Sequence, residues 1–125
     1  MGYESRVYIV NEWKTSYIDE EIGKPFGETI ATFDLCCVEH EFINVFKDEA
    51  KCCLCESNGE TEFIITKDNY GQPLRSASII DVYNAIKYGT YWRTTALKDF
   101  LHSIIVNRDI LSRDFENLKV YHYGY

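Results

Sequence analysis

The cysteine and histidine residues in the middle of the chain are the first candidates for chemistry. Cys37 and His40 form a C-x-x-H pair, Cys52 and Cys55 form a C-x-x-C pair, and 11 residues separate the two pairs. Three thiolates and one imidazole can complete a tetrahedral zinc shell. The spacing therefore permits a structural zinc site with Cys37, His40, Cys52 and Cys55 as its four ligands.

Buried, reduced thiols are the other interpretation of the same residues. If 50–56 is a strand, Cys52 and Cys55 point to opposite faces. The segment also lacks the Gly or Pro of a usual zinc knuckle, and cysteine is often buried as a small apolar residue. The five cysteines are odd in number and clustered, which argues against a disulfide framework. We expect reduced core thiols and no cofactor, with zinc as the alternative.

The sequence supports a catalytic site less than it supports a zinc site. A cysteine nucleophile needs a base, and nothing in the sequence ties His40, His102 or His122 to a thiol. Neighbouring carboxylates such as Asp48 and Glu49 lie in charge-rich stretches, which favour a solvated surface over acid–base chemistry. The sequence contains no Gly-rich phosphate loop, no G-x-S-x-G and no H-E-x-x-H. We therefore expect a protein that is not an enzyme.

Acidic residues are concentrated in the first half of the chain. The whole sequence has 13 basic and 20 acidic residues, a net charge of −7, and residues 19–62 alone hold 12 acids and three bases. This concentration of negative charge repels nucleic acid and attracts a basic protein surface. The alternative is that these residues form a solvated face that maintains solubility. The residues expected to bind a partner are Glu39, Glu41, Asp48, Glu49, Glu60 and Glu62.

A dense aromatic group follows the middle of the chain, at Tyr88, Tyr91 and Trp92, with Arg93 beside it. Aromatic and basic side chains together can stack on single-stranded nucleic acid. The net negative charge argues against phosphate binding, so no direct nucleic-acid partner is expected. The sequence leaves the role of Trp92 and Arg93 open.

These residues are positioned by predicted strands and helices. Runs of β-branched and aromatic residues predict strands at 3–13, 28–38, 50–56, 60–66 and 117–124. The first strand is apolar on both faces, which predicts a central position. Asn58-Gly59 between two strand-like runs predicts a hairpin turn. Loops are expected at 14–27 and 67–77.

Helical periodicity is clearest in the second half of the chain. A short helix is expected at 39–47, a second from Ser78 as its N-cap to Gly89, and a third at about 92–107. Strands and helices grouped in this way predict one α+β domain over 1–125, with a mostly antiparallel sheet of about five strands and two consecutive helices on one face. No apolar run approaches the roughly 20 residues of a membrane span, and the first residues lack a signal-peptide pattern, so a cytoplasmic protein is expected.

Four segments of the chain resemble small uncharacterised proteins of phages and prophages of Gram-positive bacteria. They are 1–10, 31–36, 68–74 and 120–125. The resemblance implies a phage accessory protein in the host cell. It further implies a small acidic inhibitor, such as an anti-CRISPR protein, that blocks a host protein with a basic, nucleic-acid-handling surface. It carries over no active-site residue.

Overall fold

The computed structural model describes residues 4–12, 18–19, 24–38, 40–57, 59–88, 94–111 and 113–125. The strands are β1 (Glu4–Asn11), β2 (Ile18–Asp19), β3 (Lys24–Pro25), β4 (Glu28–Cys37), β5 (Asp48–Glu49), β6 (Leu54–Ser57), β7 (Glu62–Ile65), β8 (Arg75–Ser78) and β9 (Leu118–Gly124). The helices are α1 (His40–Ile43), α2 (Ile79–Ile86), α3 (Thr95–Val106), α4 (Arg108–Leu111) and α5 (Arg113–Asn117). Within these ranges, no helix is both long and apolar enough to cross a membrane.

An antiparallel five-stranded sheet in the order β4-β1-β9-β8-β5 forms the centre of the fold. It confirms the predicted α+β class. β1 lies between β4 and β9, as its two apolar faces predict. Val7 and Ile9 belong to one buried cluster, and Tyr8 and Val10 belong to another on the opposite face. β1 is apolar on both faces because both faces of the sheet are covered.

Helices α2 and α3 cover one face of the sheet, which we call the helix face. Their buried residues are Ile79, Val82 and Ile86 from α2 and Leu97, Leu101 and Ile104 from α3. The predicted N-cap is confirmed, because the Ser78 hydroxyl accepts a hydrogen bond from the Asp81 N–H at 3.1 Å. The predicted end at Gly89 lies outside the described residues.

The opposite face, which we call the hairpin face, is covered by the β6–β7 hairpin and nearby loop residues. β6 and β7 pair antiparallel from Leu54↔Ile65 to Ser57↔Glu62, which confirms the predicted hairpin. Asn58 at its turn lies outside the described residues. The hairpin is a separate two-stranded sheet that packs against Tyr8 and Tyr121, so its strands are not members of the main sheet.

The main sheet instead recruits β5 and β8. The predicted loop 67–77 is therefore wrong over its last residues, because Arg75–Ser78 forms a strand between β9 and β5. Ser76 and Ala77 have little strand propensity of their own. Pairing with the buried strand β9 decides their conformation, as tertiary context often does for weak strands. The short helices α4 and α5 precede β9 in a stretch for which the sequence made no prediction.

Strand β4 is the long edge of the sheet and is irregular. Its pairing with β1 shifts register twice, between Ser5 and Arg6 and between Ile9 and Val10. Such shifts are β-bulges, which twist an edge strand and hinder pairing with another chain. The first shift lies beside Cys36, whose φ is +57°.

Candidate functional site

Five of the six carboxylates predicted to bind a partner lie on the surface of the described structure. All five are exposed: Glu41 on α1, Asp48 and Glu49 on β5, Glu60 in the hairpin turn, and Glu62 on β7. Glu39 lies outside the described residues. We refer to these five side chains as the acidic surface.

The acidic surface is spread over elements that pack on opposite faces of the sheet. α1 packs on the helix face through Phe42, whereas β6 packs on the hairpin face through Leu54. Glu41 accordingly lies toward one face and Glu62 toward the other, with Asp48 on the edge strand between them. The structure thus distributes these carboxylates over both faces of the sheet and the edge strand β5 rather than on a single flat face.

Three exposed cations interrupt the acidic surface near β5, since Lys47 and Lys51 flank the strand and Arg75 lies on β8. Arg75 on β8 is the cross-strand neighbour of Glu49, while Asp48 lies opposite the uncharged Ser76. Opposite charges on cross-strand neighbours attract each other. These cations therefore partly offset the negative potential near β5.

The four residues of the zinc hypothesis differ widely in exposure. Cys37 and Cys55 are exposed and Cys52 is buried, while the side chain of His40 lies outside what the structure describes. Among the described residues, no three His, Cys, Asp or Glu side chains form a group that could hold a metal ion. The expectation of core thiols holds for Cys52 and Cys53 and is wrong for Cys37 and Cys55. Zinc at these four residues stays a prediction.

A cavity of about 190 Å³ lies beside β5 on the helix face. It is lined by Ile43, Phe46, Asp68, Gln72, Pro73, Arg75 and His122. His122 was expected only as a candidate base for a thiol, and this pocket was not predicted. The detectable signal was that His122 occupies an inward position in an apolar strand, between Val120 and the chain's last residues.

His122 is the most strongly perturbed titratable group of the pocket. Its Nε2 lies 2.8 Å from the Ser5 hydroxyl, and its ring centroid lies 5.1 Å from that of Phe46. Burial lowers the pKa of His122 to about 4, although the Asp68 carboxylate acts in the opposite direction. The imidazole is therefore neutral at pH 7.

The Ser5–His122 contact resembles a nucleophile and its base only in residue type. The Ser5 side chain is completely buried and does not line the pocket. The Asp68 Oδ1 atom accepts hydrogen bonds from the backbone N–H groups of Tyr70 and Gln72. The Ser5–His122 contact satisfies buried polar groups, and the Asp68 contacts stabilise its turn. Because Ser5 is buried, a substrate in the pocket cannot reach it.

A second polar network lies under the hairpin face. The Tyr121 hydroxyl donates to Glu12 Oε2 at 2.5 Å and accepts from the Cys52 N–H at 3.1 Å. Burial, followed by the hydrogen bond to Glu12, raises the pKa of Tyr121 well above its ordinary value of 10.0. The hydroxyl of Tyr8, in the same cluster, forms no well-aligned hydrogen bond with a described residue, although the Arg6 and Glu56 side chains lie near enough to affect its pKa. The network ties the loop that carries Cys52 to the central sheet.

The aromatic group that the sequence left open is only partly described. Tyr88 is 86% exposed and lies under the Lys87 ammonium, which is 5.0 Å from its ring centroid. Tyr91, Trp92 and Arg93 lie outside the described residues. Their role stays open.

Comparison with known proteins identifies no relative of this chain. The sequence matches no protein-family model, no curated protein and no solved structure. The function has to be inferred from the charge, burial and contacts of the residues described above.

Proposed function

We propose that this protein is a non-enzymatic binding protein whose acidic surface engages a basic surface on a protein that handles nucleic acid. The observation that carries the proposal is the exposure of all five described carboxylates of the acidic surface, Glu41, Asp48, Glu49, Glu60 and Glu62. Exposed carboxylates produce a negative electrostatic potential that steers a cationic partner toward them.

The polar groups that could perform chemistry support binding over catalysis. Ser5 is fully buried behind His122, and Asp68 accepts backbone hydrogen bonds within its own turn. By contrast, the carboxylates of the acidic surface face solvent. Charge that is solvated in the free protein and complementary to a partner contributes most to association rate and specificity.

The resemblance to phage proteins supports a narrower form of the proposal. A phage accessory protein of this charge would act in the host cell as an inhibitor of a defence protein, as anti-CRISPR proteins do. Its carboxylates would occupy the basic surface to which nucleic acid otherwise binds. If the protein is such an inhibitor, it should compete with nucleic acid for the same partner.

The test compares charge reversals inside and outside the acidic surface. The variant Asp48→Lys/Glu62→Lys is matched by Asp99→Lys/Glu116→Lys, which changes the net charge equally at exposed positions elsewhere. Both are used as bait in a bacterial host extract at low and at high salt. We expect the unaltered protein and the control variant to retain a basic partner at low salt, and the first variant to lose it.

Salt and nucleic acid give the contradicting outcomes. Because the Debye length falls from about 10 Å at 0.1 M to about 3 Å at 1 M salt, an electrostatic complex should dissociate over this range. A complex that survives 1 M salt unchanged, or that both variants lose equally, contradicts the acidic surface as the binding site. If added nucleic acid does not displace the protein from its partner, the narrower inhibitor role is contradicted.

A further inference from the structure

Two adjacent cysteines end the edge strand β4, which lies at the opposite edge of the sheet from β5. Cys36 has a φ of +57°, the only positive value among the described residues other than glycine. A residue with a side chain seldom adopts this left-handed conformation. It occurs next to the point where the β1–β4 register shifts, so the backbone here departs from regular strand geometry.

This departure turns both thiols toward the same side of the sheet. Cys37 is the cross-strand neighbour of Glu4, and such neighbours share a face. Cys36 lies opposite Ser5 in the register, yet its Sγ lies 4.0 Å from Glu4 Oε1. In a regular strand, consecutive side chains point to opposite faces. At this bulge, the Cys36 sulfur instead lies beside Glu4, the cross-strand neighbour of Cys37.

The two thiols also interact electrostatically, and both are accessible. A hydrogen bond with Cys36 is the main cause of the raised pKa of the Cys37 thiol. Cys37 is exposed and Cys36 is half-buried, so a small reagent can reach both. Cys55, by comparison, is an exposed thiol on β6 whose register neighbour is Ile64.

The spacing of the pair favours a bridging atom over a direct disulfide. Adjacent Cα atoms are about 3.8 Å apart, whereas the Cα atoms of ordinary disulfides are separated by about 4.4–6.8 Å. An atom inserted between the sulfurs lengthens the bridge and relaxes this constraint. Two sulfur donors select soft, thiophilic elements.

We propose that Cys36 and Cys37 together form a bidentate thiol site for trivalent arsenicals. With an arsenoxide, two As–S bonds form, the As–O bond breaks, and the oxygen leaves as water with the two thiol protons. No atom is oxidised or reduced in this condensation. The site is independent of the acidic surface and of the function proposed for it.

Phenylarsine oxide is the probe that tests the site. The fully reduced protein is equilibrated with one equivalent of the probe and an excess of a competing monothiol, and its intact mass and free thiols are measured. We expect one phenylarsenic group per chain and the loss of two thiols. Chelation exceeds single-site binding by about 10²–10⁴-fold, so Cys37→Ser should retain the probe at least about 100-fold more weakly.

Cys55→Ser is the matched control, because it removes an exposed thiol from another strand, and it should retain the probe like the unaltered protein. Cys36→Ser provides a second disruption in case Cys37→Ser fails to give the circular dichroism spectrum of the unaltered protein. Retention that persists in a folded Cys36 or Cys37 variant would overturn the proposal. Retention that Cys55→Ser abolishes, or that the unaltered protein never shows, would overturn it equally.

Discussion

The two faces of the central sheet are both buried, but different chemistry closes each of them. On the helix face, aliphatic side chains of α2 and α3 pack against Val7, Ile9 and Val120. On the hairpin face, Tyr8 and Tyr121 pack beneath the hairpin and its preceding loop, and a hydrogen-bond network joins that loop to the sheet. The first face depends mainly on burial of apolar area, and the second depends in addition on polar groups that must remain paired.

The largest expected effect comes from the helix face. Leu101 is fully buried between α3 and the sheet, so Leu101→Ala should lower the free energy of unfolding by about 3 kcal/mol through lost burial and the cavity left behind. Chemical denaturation measures this loss. Val106→Ala, on the same helix but 63% exposed, is the control and should change stability by less than about 0.5 kcal/mol.

Leu54→Ala makes the corresponding change on the hairpin face, where Leu54 is also fully buried. We expect a loss of about 2 kcal/mol, since a hairpin outside the main sheet can move to reduce the cavity. A loss larger than that of Leu101→Ala would reverse the comparison and make the hairpin face the dominant core.

The next effect depends on pH and concerns the polar group of the helix face. His122 has a pKa of about 4 in the folded protein and an ordinary value of 6.5 in the unfolded chain. Between these values the unfolded chain binds the proton and the folded protein does not, so stability falls as the pH is lowered from about 6.5 toward 4. At pH 5 this single group should account for about 2 kcal/mol of lost stability.

Denaturation at pH 7 and pH 5 measures the loss, and His122→Gln should reduce the difference between the two values. A nuclear magnetic resonance titration of the unaltered protein checks the same point without a substitution. The ring-proton shift of His122 should stay constant from pH 7 to pH 5. A midpoint near 6.5 would show that the imidazole is solvated and that the helix face is open at the pocket.

The smallest effect compares two tyrosine hydroxyls on the hairpin face. Tyr121→Phe leaves the buried Cys52 N–H without its acceptor and removes a donor from Glu12, so a loss of about 1–2 kcal/mol is expected. Tyr8→Phe removes a hydroxyl that forms no well-aligned hydrogen bond with a described residue, although Arg6 and Glu56 lie near it, so its loss of stability should be smaller than that of Tyr121→Phe. Equal losses in thermal or chemical denaturation would contradict the assignment of the polar network to Tyr121.

The same contrast explains which parts of the fold were predictable. The helix face was anticipated from the helical spacing of Leu97, Leu101 and Ile104, from the cap at Ser78 and from the two apolar faces of β1. These signals are local, since each lies within one turn or one strand. The hairpin was also anticipated, because its turn residues constrain the backbone directly.

The parts that were missed depend on contacts between distant residues. The strand at Arg75–Ser78 has no propensity signal and exists because β9 pairs with it. The pocket assembles α1, the 68–73 turn and β9, and no motif connects them in the sequence. The exposure of the candidate carboxylates was predictable, because they lie in charge-rich stretches of the sequence. Their placement on the two faces and the edge strand β5 depends on the sheet topology, which the sequence does not show.

The pairing of β1 with β9 has a consequence for how the chain reaches this structure. Ser5 and His122 are in contact although they are 117 residues apart, and closing so long a segment is slow because its entropy cost precedes the contacts that offset it. Until β9 arrives, β1 can pair with β4 but presents Tyr8 and its neighbours without their second strand. During synthesis this apolar segment is a target for chaperones and for self-association, so a higher expression level should appear first as aggregation.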